Sequence, residues 1–282
     1  MFEVLVENKR GHKIDFVQNN KYAITNISGL GPPDAEINLS EVGPLDGAEF
    51  NSSKLKVRNI VMTIEILGNV EANRIALYKV FKSKEWIKFY YKNGLRDVYI
   101  EGYIENAPVE LFTQNEAIQI SILCPDPYFK NAQEIIEDIG IIINNFSFPF
   151  AIEEEGIPFS KYDEILEKTI VNNGDVEKGV IIEIRASGNV LNPKIFNRET
   201  AEFFGLNIEL IEGDVVTITT IKGLKTVFLL RNAETINIFN NIMKDITWLQ
   251  LAPGDNVFTF EAEKGIEFLN IMFRHIDNFE GV

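Results

Sequence analysis

Two histidines and one cysteine in 282 residues leave little material for side-chain chemistry. His12 and His275 stand far apart in the chain, at the first hairpin and near the end of the last strand, so neither a His-centred triad nor a multi-histidine metal site is expected. Both read as surface or strand-end residues. Cys124 ends an apolar strand just before Pro125, where a buried, inert thiol is expected. Nucleotide binding is unsupported: there is no G-x-S-x-G elbow or Walker A run, and Gly29-Leu30-Gly31 leads into Pro32 and Pro33 rather than into a helix. Paired carboxylates are available at Glu153-Glu154-Glu155 and Glu261/Glu263, but the first cluster falls in a loop and the second on a strand's solvent face. Asp214, Asp255 and Asn256 occupy tight turns without the regular spacing of calcium ligands, and read as Asx side chains bonding their own backbone. Trp86 and Trp248 read as core residues. The residues therefore offer no catalytic, cofactor-binding or metal site, and no enzyme or cofactor is expected.

The elements that would position any site are mostly short strands. Alternation at 2–6 and 13–17 around Asn8-Lys9-Arg10-Gly11 predicts an opening hairpin, and 22–27 a third strand stopped by Ser28-Gly29-Leu30-Gly31-Pro32-Pro33. Residues 34–57 form two weakly alternating polar stretches around Gly43-Pro44-Leu45-Asp46-Gly47, a composition suited to a projecting hairpin arm. A strand follows at 58–67. One helix is predicted after Asn69 as N-cap, with Glu71 in its first turn, Lys79, Lys82 and Lys84 at its C-terminal end, and a stripe of Val70, Arg74, Leu77, Tyr78 and Phe81. Strands at 86–91, 97–105 and 117–123 close a first domain, 1–135, at Cys124-Pro125-Asp126-Pro127. Beyond a boundary near 130–144, strands near 168–172, 180–186, 209–210, 215–221, 226–231, 248–251, 257–263 and 266–274, with turns about every 8 to 12 residues, predict an antiparallel β-sandwich over 145–282.

Composition narrows the classes further. With 45% apolar and 24% charged residues the chain is ordinary globular material, and its single cysteine suits a reducing cytoplasm. The alternating N-terminus does not read as a signal peptide, and no apolar run nears the roughly 18 residues of a membrane span. Scattered basic residues and a formal charge of −15 argue against nucleic-acid binding.

The order of several runs resembles the distal tail proteins (Dit) of long-tailed phages and phage-derived tail particles of Gram-positive bacteria. In the first domain these are ISGLGPP, the LDG turn, RNIVMTIEILG leading into the single helix, and CPDPYF; in the second, GNVLNPKIFN, LIEGDVVTITT and ITWLQLAPGDNVFTF. The resemblance implies a mainly β fold, with a sandwich-like N-terminal domain carrying one helix and a projecting hairpin, and a galectin-like C-terminal sandwich. It also implies a homo-hexameric ring in the virion tail, assembled in the host cytoplasm. Such a ring joins the tail tube protein to the tail-tip protein and to receptor-binding or baseplate proteins, and DNA passes through its channel. A ring interface is heterologous, so the arm is expected to meet a different surface of the next subunit through Ile37, Leu39, Val42, Leu45 and Phe50. Six chains would carry a formal charge of roughly −90 (six times −15), which should repel rather than hold DNA. The alternative from another class is a carbohydrate-binding, lectin-like adhesion module built on the second sandwich; a cell-wall hydrolase is the third.

Overall fold

A computed structural model describes residues 2–17, 20–41, 43, 46–110, 116–140 and 167–282. The chain divides into two compact units, one of residues 1–133 with 278–282, the other of residues 134–277. The last five residues, expected to end the second domain, thus belong to the first unit.

The first unit contains β1 (Glu3–Asn8), β2 (Lys13–Asp15), β3 (Tyr22–Ser28), β4 (Ala35–Glu41), β5 (Ala48–Leu55) and β6 (Arg58–Ile66). After helix α1 (Val70–Val80) come β7 (Trp86–Lys92), β8 (Asp97–Asn106), β9 (Val109–Glu110), β10 (Ala117–Cys124) and β11 (Phe129–Asn131). A ten-stranded antiparallel sheet runs β2-β1-β7-β8-β10-β6-β3, with β9 on β10 and β11 on β8. Period-two alternation puts Val4 and Val6, Ile60, Met62 and Ile64, Ile87 and Phe89, Ile100 and Ile104, and Ile118, Ile120 and Ile122 into one core.

Asn69 caps α1 as expected, accepting from the Ala72 N–H at 3.3 Å. The buried stripe differs by about one position from the predicted one: Asn73, Leu77 and Val80 are buried together with the C-cap Phe81, while Tyr78 stands outward beside Arg74. Asn73 earns an interior place because its side-chain amide donates to the Leu67 carbonyl at 2.7 Å and its own carbonyl accepts from the Tyr22 hydroxyl at 2.9 Å.

The second unit begins with β12 (Ile135–Gly140), β13 (Glu167–Asn172), β14 (Lys178–Gly179), β15 (Ile181–Ala186), β16 (Val190–Leu191), β17 (Lys194–Asn197) and β18 (Phe203–Gly205). It continues through β19 (Glu209–Leu210), β20 (Val215–Thr219), β21 (Thr226–Arg231), β22 (Glu234–Asn237), β23 (Gln250–Leu251), β24 (Gly254–Glu261) and β25 (Leu269–His275). The final strand, β26 (Asn278–Phe279), pairs with β11 of the first unit. A six-stranded sheet, β12-β25-β15-β20-β21-β22, and a four-stranded one, β13-β24-β17-β18, share one core. Rings cross between them: Phe273 of β25 lies 4.9 Å from Phe258 and 6.4 Å from Phe260 of β24. Strands β17, β18 and β22 fall outside the expected set, being three or four residues long and broken by Pro193, Asn197 and Asn232. Where a strand was expected to start at Ile266 there is instead a turn of 3-10 helix, entered through Gly265 at φ +75°, where a Cβ would run into the Asn189 carbonyl.

Candidate assembly surface

The projecting arm is built at its root by backbone geometry. Gly29 has φ +85° and lies so close to the Asn59 carbonyl that no side chain fits, which turns the chain out of β3. From there β4 and β5 pair only with each other, Ala35 opposite Leu55 and Glu36 opposite Lys54. Phe50 and Leu55 are five residues apart and would face opposite sides of a regular strand. Between Asn38 and Leu39 the register shifts, Asn51 is left over as a bulge, and Phe50 comes round to face Leu39.

The bulge therefore sorts the ribbon into two faces. One carries Ala35, Ile37, Leu39, Ala48, Phe50 and Leu55 with Ser53 and Glu41; the other carries Glu36, Asn38, Ser40, Glu49, Ser52 and Lys54. Polar partners on the second face satisfy each other, with Lys54 against Glu36 at 3.1 Å and the Asn38 amide donating to the Ser52 hydroxyl at 3.0 Å. The apolar face has no such partner among the described residues: Ile37 and Leu39 are each 59% exposed and Phe50 is 64% exposed, outside both cores. Of the five expected contact residues, the structure brings Ile37, Leu39 and Phe50 onto this face; Val42 and Leu45 lie outside the described residues.

Both ends of the arm meet at Arg58, the first residue of β6 and only 3% exposed. Its guanidinium donates to the carbonyls of Gly29 (2.6 Å), Gly31 (2.5 Å), Pro127 (2.6 Å) and Glu280 (2.5 Å), and lies 4.6 Å from the centre of the Phe129 ring. This junction was not legible in the sequence, because its acceptors are main-chain atoms from three distant segments.

The residues singled out for chemistry take other roles. Cys124 is fully buried, and burial pushes its thiol up to about 12. Asp214 accepts from Arg231 Nε at 2.9 Å and from the Ile211 N–H at 2.9 Å; the Arg231 bonds hold its carboxyl below the ordinary range. The Asn256 amide donates to the Ala252 and Gly254 carbonyls and knits its own turn. Glu261 and Glu263 are exposed, and 153–155 lie outside the described residues. His12 is exposed in the first turn, but His275 is 3% exposed rather than superficial. Lys178 donates to His275 Nδ1 at 2.9 Å and to Asp277, forming a buried trio with His275 Nε2 and Asp277 Oδ2 unbonded. Neither Trp is a core residue in full: Trp86 lines an open cavity, and Trp248 is partly exposed between Phe204, Phe239 and Lys225. Among the described residues no three His, Cys, Asp or Glu side chains converge to hold a metal, and no helix is long and apolar enough to cross a membrane.

Residues 173–275 match the family model described as siphovirus-type tail component, C-terminal domain. A search of curated protein sequences matches none. Among solved structures the chain is similar to SPP1 Dit (gp 19.1), described as a paradigm of the hub adsorption apparatus in phages that infect Gram-positive bacteria. That match has a TM-score of 0.70 at 11% identity, over 98% of this chain and 99% of that one. The baseplate of phage p2 in its activated conformation with Sr matches with a TM-score of 0.50, also at 11% identity, over 98% of both chains. Residues 173–275 thus match the siphovirus-type tail component model, and the chain from end to end shares the fold of SPP1 Dit.

Proposed function

We propose that the chain is the subunit of a homo-hexameric hub ring at the distal end of a phage tail, assembled in the host bacterial cytoplasm. The ring joins the tail tube protein to the tail-tip protein and to receptor-binding or baseplate proteins, and DNA crosses it through a central channel. The first unit builds the ring and the second serves as a docking platform. One observation carries the reading: the bulge at Asn51 gathers Ile37, Leu39 and Phe50 on a face that nothing in the described chain covers. Burying each of these side chains is worth about 1.5–3 kcal/mol, and an isolated two-stranded ribbon is marginal in water, so the arm gains most from a second chain.

The carbohydrate-binding alternative needs an open aromatic platform on the second sandwich. Trp248 is a poor one, because Phe204 at 5.2 Å, Phe239 at 5.8 Å and the Lys225 ammonium at 5.2 Å already crowd its ring. Replacing residues 34–57 by a short turn tests the assembly reading by light scattering. The shortened chain is expected to be monomeric with its melting temperature nearly unchanged; an undiminished oligomer would contradict the role of the arm.

A further inference from the structure

The first unit offers a second open surface. Trp86 of β7 stands opposite Tyr103 of β8, and both point away from the core that Ile87 and Ile104 enter. Together with Lys9, Lys84 and Glu85 they line an open cavity of about 450 Å³, with Tyr103 49% exposed. Main-chain bonds hold its wall in place: the Lys84 N–H donates to the Ile104 carbonyl at 2.8 Å, and the Ile104 N–H to the Glu85 carbonyl at 3.0 Å.

Positive charge collects around this aromatic floor. Lys9 and Arg10 follow β1, and Lys82 and Lys84 follow the helix. Only Arg10 finds a carboxylate, that of Glu85 at 4.0 Å; Lys9, Lys82 and Lys84 are exposed and form no ion pair among the described residues. On a chain with a formal charge of −15 such a concentration is local and unusual.

We propose that this basic, aromatic groove seats the arm of a second copy of the chain. The inference rests on the ring reading and names the surface that receives the arm. The arm and the groove match in two respects. Its apolar face presents Phe50 and Leu39, which need an apolar, roomy seat, and the cavity floor supplies Trp86 and Tyr103. Residues 34–57 also carry five acidic side chains, Asp34, Glu36, Glu41, Asp46 and Glu49, against Lys54 and Lys56; Glu41 shares the face of Leu39 and Phe50, while Glu36, paired with Lys54, and Glu49 lie on the other face and act only through the field of the arm. A mostly acidic neighbour repels such a segment everywhere except at a basic patch, which therefore selects the docking site and its register. Donor and acceptor are different surfaces of one chain, as a closed head-to-tail ring requires.

The test uses the full chain with Phe50→Cys and Tyr103→Cys together. Both positions are exposed, whereas the native Cys124 is buried and stays out of the reaction. Mild oxidation is expected to give a ladder of covalent multimers on a non-reducing gel, collapsed by reductant; either single variant gives no species beyond a dimer. Oligomers in light scattering without a ladder would overturn this docking site and leave the ring reading standing, and a Phe50→Cys/Tyr78→Cys pair that cross-links instead would move the seat to the outer face of α1. A chain that stays monomeric overturns both. Independently, Lys9→Glu with Lys84→Glu is expected to raise the midpoint concentration for assembly about tenfold, and Glu41→Lys with Glu49→Lys to restore it. An unchanged midpoint contradicts the proposal.

Discussion

Arg58 and His275 show how much of the structure depends on single buried polar groups. A buried guanidinium persists only where acceptors replace its water, and Arg58 has four carbonyls around it, one of them 222 residues away at Glu280. Arg58→Met keeps much of the stem and strands those acceptors, so the first unit is expected to lose about 3 kcal/mol, seen as a lower denaturant midpoint at unchanged slope. Arg58→Lys should recover only part, since an ammonium cannot span the same fork; equal midpoints for all three chains would rule the junction out. In the buried trio, burial and then the Lys178 charge lower the His275 pKa below 6.5. The folded state therefore resists a proton that the unfolded chain accepts. Stability is complete above pH 6.5 and falls as the pH drops through the folded pKa. Melting curves from pH 7.5 to 5 should show this decline in the second unit and a flatter one in His275→Gln; parallel curves would contradict it. Neither role can be read from sequence, where Arg58 is one alternating residue of a strand and His275 a strand end.

At the scale of elements, what is legible depends on how local the cause is. The arm, the helix with its Asn69 cap and the turn-punctuated second sandwich were expected because glycines, prolines and period-two patterns act over a few residues. The bulge at Asn51 left no such signal, and neither did the short strands β17, β18 and β22. The return of the C-terminus was likewise invisible: β26 pairs with β11, Phe279 is 4% exposed beneath Arg96 at 3.8 Å, and the Val282 N–H donates to the Leu30 carbonyl at 3.1 Å. A fragment of residues 1–135 therefore lacks a piece of its own core. Residues 1–133 joined by a short Gly/Ser linker to 278–282 should melt clearly higher than 1–135, by an amount corresponding to roughly 2–4 kcal/mol for a buried Phe and its strand. Identical melting by circular dichroism would show that the tail is dispensable.

For the molecule as a whole, each unit has its own core, and the arm carries an apolar face that nothing in the described chain covers, as the proposed ring subunit requires. The fold is shared end to end with SPP1 Dit at 11% identity, so what is common is the layout of strands and turns more than the residues at any surface. That explains why the order of turn and strand motifs was readable. On the proposed ring reading the acidic charge would keep the particle soluble and its bore free of DNA, while the basic groove beside Trp86 stands out against it. The central claim is that this chain closes into a ring through its arm, and a native mass spectrum of the full chain at low ionic strength tests it most directly. The account predicts a dominant species at six times the 32.1 kDa chain mass, lost when Leu39 and Phe50 are both changed to Asp; a monomer at every concentration, or an oligomer untouched by those two changes, would contradict it.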